Sequence, residues 1–317
     1  MNERKVSGIM LILLLANALF IMFDVPVAVA SGTIYIRADG SIDPPTAPIQ
    51  RVGDVYTFTG NIYDSIVVQR NNIIVDGNGY TLEGPATGIG ITLGGNNITI
   101  RNMTIKGFVL PGSGFEAAIY SFGTSNNVIT GNTIVSNKWG IDLEWVDGYI
   151  INHNILANHN QAAIYGEKSR NIVISYNLFK NNARAITLGG SSNEIHHNDF
   201  IDNVSPGFWG EEGVWHHNYW SDYAGVDANG DGIGDTAYLK HGIWDDYPLM
   251  NPTSGLQILG GESPLWMQWW FWAIVAVAIV ALAGAVYFLK KRKPLTPTAC
   301  PSPPAALNFC YNFKCAD

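Results

Sequence analysis

From residue 31 to residue 299 the chain has no cysteine; its three, Cys300, Cys310 and Cys315, lie at the C-terminal end. No disulfide can staple the body of the protein, so a packed core has to stabilise it. The spacing C-x9-C-x4-C matches no zinc pattern, and the proline-rich lead-in to it suggests disorder. Positive charge is scarce as well. Residues 31–264 hold 11 Lys+Arg against 23 Asp+Glu, a net charge of −12. That balance argues against a nucleic-acid partner and is compatible with cations or neutral sugars. The same stretch has no 3.6-residue apolar periodicity, which leaves little room for helices. It also lacks a nucleophile triad, a phosphate loop and a zinc-hydrolase motif.

Long apolar runs occur only at the two ends. A basic start (Arg4, Lys5), an apolar run from Gly8 to Phe23 and Ala28-Val29-Ala30 before Ser31 follow the order of a secretory signal peptide cut after Ala30. The alternative, an uncleaved anchor, is disfavoured by Asp24 and Pro26, which end the run early. Ser263 to Leu289 carries no charged side chain and is long enough to cross a bilayer, which takes about 20 residues. Trp266, Trp269, Trp270 and Trp272 form an interfacial belt, and Lys290, Lys291, Arg292 and Lys293 mark the cytoplasmic side. The expected order is a signal peptide (1–30), an N-terminal cap with first strands (31–70), a repeat region (71–223), a C-terminal cap (224–252), a linker (253–264), a transmembrane helix (265–289) and a cytoplasmic tail (290–317). The body is expected outside the cell, tethered by a single pass.

The repeat region has one beat in two registers. An apolar residue, then Asn three positions on, then an apolar residue two further recurs as Ile129/Asn132/Ile134, Ile151/Asn154/Leu156, Ile174/Asn177/Phe179, Ile195/Asn198/Phe200 and Trp215/Asn218/Trp220. The asparagines are 22, 23, 21 and 20 residues apart. A second series, Ile91, Ile119, Ile141, Ile164, Ile186 and Phe208, keeps nearly the same step after its first interval. Units of this length, made of short strands between Gly/Asn/Ser turns, cannot bury a face alone and must stack. Equivalent strands then pair in parallel about 4.8 Å apart. The fold expected is all-β: a parallel β-helix, right-handed by the usual crossover rule, with one C-terminal transmembrane helix. Stacked asparagines would hydrogen-bond from coil to coil while themselves tolerating the left-handed conformation that a corner needs.

The segments NNIIVDGNGYTL, SNNVITGNTIVSN and HHNYWSDYAGVDANGDGIGDTAYLKHGIWDDYPLM resemble the NosD-like β-helix family, also described as the carbohydrate-binding and sugar-hydrolase β-helix domain. The resemblance spans about residues 70 to 250. It implies polysaccharide contact for many relatives and periplasmic copper-site accessory work for the namesake.

Three constellations carry possible chemistry. Asp227, Asn229, Asp231, Ile233 and Asp235 take positions 1, 3, 5, 7 and 9 of a Ca²⁺ loop with Gly232 at the sixth. Position 12 is Tyr238 rather than Glu, so Asp245 or Asp246 would have to close the shell. Outward positions of the second strand give one row of Asp142, Tyr165, Thr187 and Trp209 and another of Glu144, Glu167, Gly189 and Glu211. Rings beside carboxylates suit the apolar faces and hydroxyls of sugars, which makes Tyr165, Trp209 and Glu211 glycan contacts. Asp142, Glu144 and Glu167 could instead cleave a glycoside as a carboxyl pair at retaining distance. Finally, His196, His197, His216 and His217, with His153 two coils earlier, could hold copper or another transition metal. No thiolate or methionine accompanies them, and histidine can also stand in for asparagine near a turn. Binding of a surface polysaccharide is the leading expectation, metal handling the second and cleavage the third.

Overall fold

The computed structural model describes residues 32–109, 116–207 and 212–257. The signal-peptide, transmembrane and tail segments, together with Trp209 and Glu211, lie outside the described residues. Among the described residues all regular structure is strand, and no helix is long and apolar enough to cross a membrane.

The strands wind into a solenoid with three sheets, numbered here in the order a coil visits them. One coil runs through Trp139–Glu144 in sheet I, Ile150–Asn152 in sheet II and Ile155–Ala157 in sheet III, and the next begins at Ala162–Glu167, back in sheet I. Among the described residues, pairing between coils is parallel; antiparallel pairing occurs at the ends, in the Ile49–Val52/Val55–Phe58 and Tyr238–Lys240/Ile243–Asp245 hairpins, between Thr33–Ile36 and Ile42–Asp43, and in the single bridge of Ile233 with Leu249.

The two-residue alternation of a strand explains why the short segments are stable. In sheet I the inward positions stack as Ile34, Ile66, Ile91, Ile119, Ile141, Ile164 and Ile186, all buried. Sheet II contributes Ile100, Ile129, Ile151, Ile174 and Ile195, and sheet III contributes Ile105, Ile134 and Leu156. Burying each such side chain is worth about 1.5–3 kcal/mol. Towards the C-terminus the sheet III column turns aromatic through Phe179, Phe200 and Trp220, 4.9 and 4.3 Å apart between centroids, and Tyr238 of the C-terminal hairpin stacks on Trp220 at 4.2 Å.

The asparagines of the first series form the expected ladder. Nδ2 of Asn132 donates to Oδ1 of Asn154 (3.0 Å), Asn154 to Asn177 (3.1 Å), Asn177 to Asn198 (3.0 Å) and Asn198 to Asn218 (3.1 Å). Each Oδ1 also accepts the backbone N–H of the asparagine one coil earlier. One detail differs from the expectation. These asparagines are not themselves left-handed; the residue before each one is, namely Gly131, His153, Tyr176, His197 and His217, with φ between 53° and 65°. The left-handed residue turns its side chain out of the corner, and the asparagine after it turns inward to satisfy the bent backbone. A second corner repeats the device through Asn137, His159, Asn182 and Asn203. There His159 replaces an asparagine: its Nδ1 accepts from Asn137 N–H (3.3 Å) and its Nε2–H donates to the Ile134 carbonyl (3.1 Å).

Candidate functional site

Parallel register brings the sheet I residues together on the outward side. Asp142 pairs with Tyr120 on one side and Tyr165 on the other, and Tyr165 pairs with Thr187. In the neighbouring column Phe122, Glu144 and Glu167 follow one another. The alternation that buries Ile141 and Leu143 is what sends Asp142 and Glu144 outward. Trp139, at the start of the same strand, meets Tyr165 edge-to-face at 4.6 Å.

Although Asp142 points away from the core, only 4 % of it is exposed, and its Oδ1 has no hydrogen-bond partner among the described residues. Burial, with Glu144 and Glu167 nearby adding repulsion, pushes the carboxyl up to about 7. Asp142 is thus partly protonated at neutral pH, an acid with a proton to donate. The flanking carboxylates are occupied by phenols: Tyr165 donates to Glu167 and Tyr120 to Glu144. Burial, and these carboxylates after it, raise both phenols above the ordinary tyrosine value. The site can offer hydrogen bonds and ring faces to a hydroxyl-rich ligand.

Sequence reasoning missed Tyr120 and Trp139. The signal was there: Tyr120 in AAIY is the counterpart of Asp142 in GIDL one period on, and Trp139 leads the same segment. Trp209 and Glu211, expected to extend the two rows, lie outside the described residues.

The histidines stack as their spacing implies. His196 lies 5.2 Å from His216 and His197 lies 5.3 Å from His217, each pair parallel to within 3°. Within a coil the rings meet through nitrogen: Nδ1 to Nδ1 is 2.9 Å for His196/His197 and 3.0 Å for His216/His217. His216 Nε2 lies 3.0 Å from Glu194 Oε1. His153, Tyr176 and Tyr247 extend the outer column to five rings. Burial lowers the affinity of His196 and His197 for a proton.

The Asp227–Asp235 loop is wound by its own side chains. Asp227 accepts from the N–H groups of Gly230, Asp231 and Gly232, Asp231 from that of Ile233, and Asp235 from that of Ala228. Asp245, one of two residues expected to complete a Ca²⁺ shell, is instead fully buried, where it accepts from Asn218 and Trp220. Among the described residues no three His, Cys, Asp or Glu side chains converge as a ready-made metal cage. A cavity of about 210 Å³ beside Trp220 and Tyr238 has an internally satisfied rim, with Lys240 and Tyr238 both donating to Asp222.

A stacked parallel solenoid of this kind defines a class, the parallel β-helix proteins. A family model described as "Right handed beta helix region" matches residues 54–218, a little over half of the chain, and the protein belongs to that family. Comparison with curated proteins finds none that matches.

Proposed function

We propose that the protein binds carbohydrate on the outward side of sheet I. The observation that supports this is the juxtaposition on adjacent coils of three rings, Tyr120, Trp139 and Tyr165, with the carboxyls of Asp142, Glu144 and Glu167. Rings take the apolar faces of sugars and carboxyls take their hydroxyls. The resemblance to the NosD-like family points the same way. A glycan array followed by calorimetric titration tests it: Trp139→Ala and Tyr165→Ala should each weaken binding about ten-fold or more, a loss of 1.4 kcal/mol or above. Export by residues 1–30 and a single-pass membrane tether at residues 265–289 belong to this reading and rest on sequence alone. Protease accessibility on intact cells tests them.

The histidine pairs favour a second reading, in which the protein handles copper or a related ion. Two imidazole nitrogens 2.9–3.0 Å apart are separated as neighbouring ligands on one metal are, and a metal would replace the shared proton. Copper should then raise the melting temperature, an effect abolished when His196, His197, His216 and His217 are changed to alanine. Asp142, buried with its carboxyl pKa raised beside Glu144 and Glu167, supports a third reading, glycoside cleavage; release of reducing ends, lost in Glu144→Gln and Glu167→Gln, tests it. We also propose Ca²⁺ for the loop of Asp227, Asn229, Asp231, Ile233 and Asp235, where it would stiffen the C-terminal cap. The Asn229 amide, which now donates to Asp231 (2.9 Å), has to turn to offer its oxygen. No part of the proposal involves nucleic acid.

A further inference from the structure

The coils satisfy buried polar groups systematically, through ladders in which an amide such as Asn177 serves four partners, Asn154, Ile151, Ser175 and Asn198. Against that background two buried side-chain atoms have no partner among the described residues: Asp142 Oδ1 and Thr187 Oγ1. They share the same outward column of sheet I, with Tyr165 between them. An orphaned buried polar atom costs about 1–3 kcal/mol, so two in one column mark a place where a partner is missing. Two coils separate them by about 10 Å along the solenoid axis, a span that a disaccharide covers.

We propose that the glycan taken by this face is uncharged and lies along the solenoid axis, hydrogen-bonded by Asp142 and Thr187 on either side of the Tyr165 ring. This rests on the carbohydrate-binding reading and names the ligand class and its direction. The charges around Asp142 support it. Glu144 on its own strand and Glu167 on the next are acidic, and Tyr120 and Tyr165 are phenols. Of the cations flanking these strands, Lys138 is paired with Glu116 at 2.5 Å and Lys168 lies over the Trp145 ring at 4.4 Å, while Arg184, two residues before the Thr187 strand, is exposed. A uronate would meet the carboxyls of Asp142, Glu144 and Glu167, with Arg184 at the far end of the column as a flanking cation without an ion pair among the described residues. Pairing a cationic sugar with Asp142 itself would require that carboxyl to ionise where it is desolvated. A neutral sugar lets Asp142 stay protonated and donate to a hydroxyl or ether oxygen, while Thr187 exchanges a hydrogen bond with the next residue. Because Asp142 Oδ1 is closed off from solvent, engagement requires a bordering ring, Trp139 or Tyr165, to turn.

The test is calorimetric titration of the full-length protein in detergent with xylo- and manno-oligosaccharides, oligogalacturonate and chitosan oligomers at pH 6 and pH 8. The expected result is binding of a neutral series that weakens about ten-fold between the two pH values as Asp142 ionises. Asp142→Asn, which keeps a donor without a titration, should bind at both pH values with the dependence removed. Asp142→Ala and Thr187→Val should each lose ten-fold or more. Equal or tighter binding of the uronate or the cationic series overturns the proposal, as does neutral binding unchanged in Asp142→Ala and Thr187→Val; both leave the broader reading standing. Failure of every series at both pH values overturns the two together.

Discussion

Asn218 passes the end of its ladder to Asp245: its Nδ2 lies 3.2 Å and its backbone N 3.0 Å from Asp245 Oδ2. The same carboxyl accepts from Trp220 Nε1 (3.1 Å) and, through Oδ1, from the N–H groups of His217 and Tyr247. A carboxylate suits the last rung because it only accepts, whereas a further asparagine would carry donors needing another coil above it. Asp245→Ala should cost about 3–5 kcal/mol in urea unfolding, since several buried donors lose their acceptor at once. Asp245→Asn should cost less.

A rung in the middle of the ladder is equally testable. Asn177 accepts from Asn154 and donates to the Ile151 carbonyl and to Asn198. Asn177→Ala should destabilise by about 2–4 kcal/mol, and Asn177→Asp should fall between alanine and wild type because it keeps the acceptor. Chemical denaturation followed by far-UV circular dichroism reads both.

This ladder was legible in the sequence because a solenoid turns sequence period into spatial contact. Asn132 through Asn218 announce themselves by spacing alone, and so do the isoleucine column of sheet I and the two histidine pairs. What spacing could not show was division of labour. A repeat fixes which residues stack, but it does not say which of two neighbours takes the left-handed backbone, so the positive φ falls on His197 rather than on Asn198. It also could not separate Asp245 from Asp246, because a ladder end has no further period to reveal it. His159 escaped notice for the opposite reason: it breaks the asparagine pattern chemically while reproducing its hydrogen bonds geometrically.

His159 should make the fold acid-sensitive. Burial holds its imidazole down to about 4, below the ordinary 6.5 of the unfolded chain. The unfolded state therefore binds the extra proton first, and stability is lost as pH falls from about 6.5 to about 4. His159→Asn, which restores the amide used at equivalent corners, should shift the acid-unfolding midpoint to lower pH. A midpoint that does not move contradicts the neutral-imidazole assignment.

Asp142 acts in the other direction. With its folded value raised to about 7, the native state holds a proton that the unfolded chain releases near 4. Stability should decline as pH rises between those values, by at most about 4 kcal/mol. Asp142→Asn should be more stable than wild type at pH 8 and close to it at pH 4. Paired thermal melts at the two pH values check the sign.

For the calcium loop, millimolar Ca²⁺ should raise the melting temperature by a few degrees, and the rise should vanish in Asp227→Ala and Asp231→Ala. Histidine changes at positions 196 and 217 should leave it intact. The shift is measured after chelation and re-addition, with Mg²⁺ as the control.

The central claim concerns a proton held on the outward side of sheet I, and carbon-detected NMR of the Asp142 carboxyl tests it most directly, with Asp142→Asn assigning the signal. The account predicts a titration midpoint near 7 that climbs further when a neutral oligosaccharide saturates the face. A midpoint near 4 that ignores every glycan would contradict it.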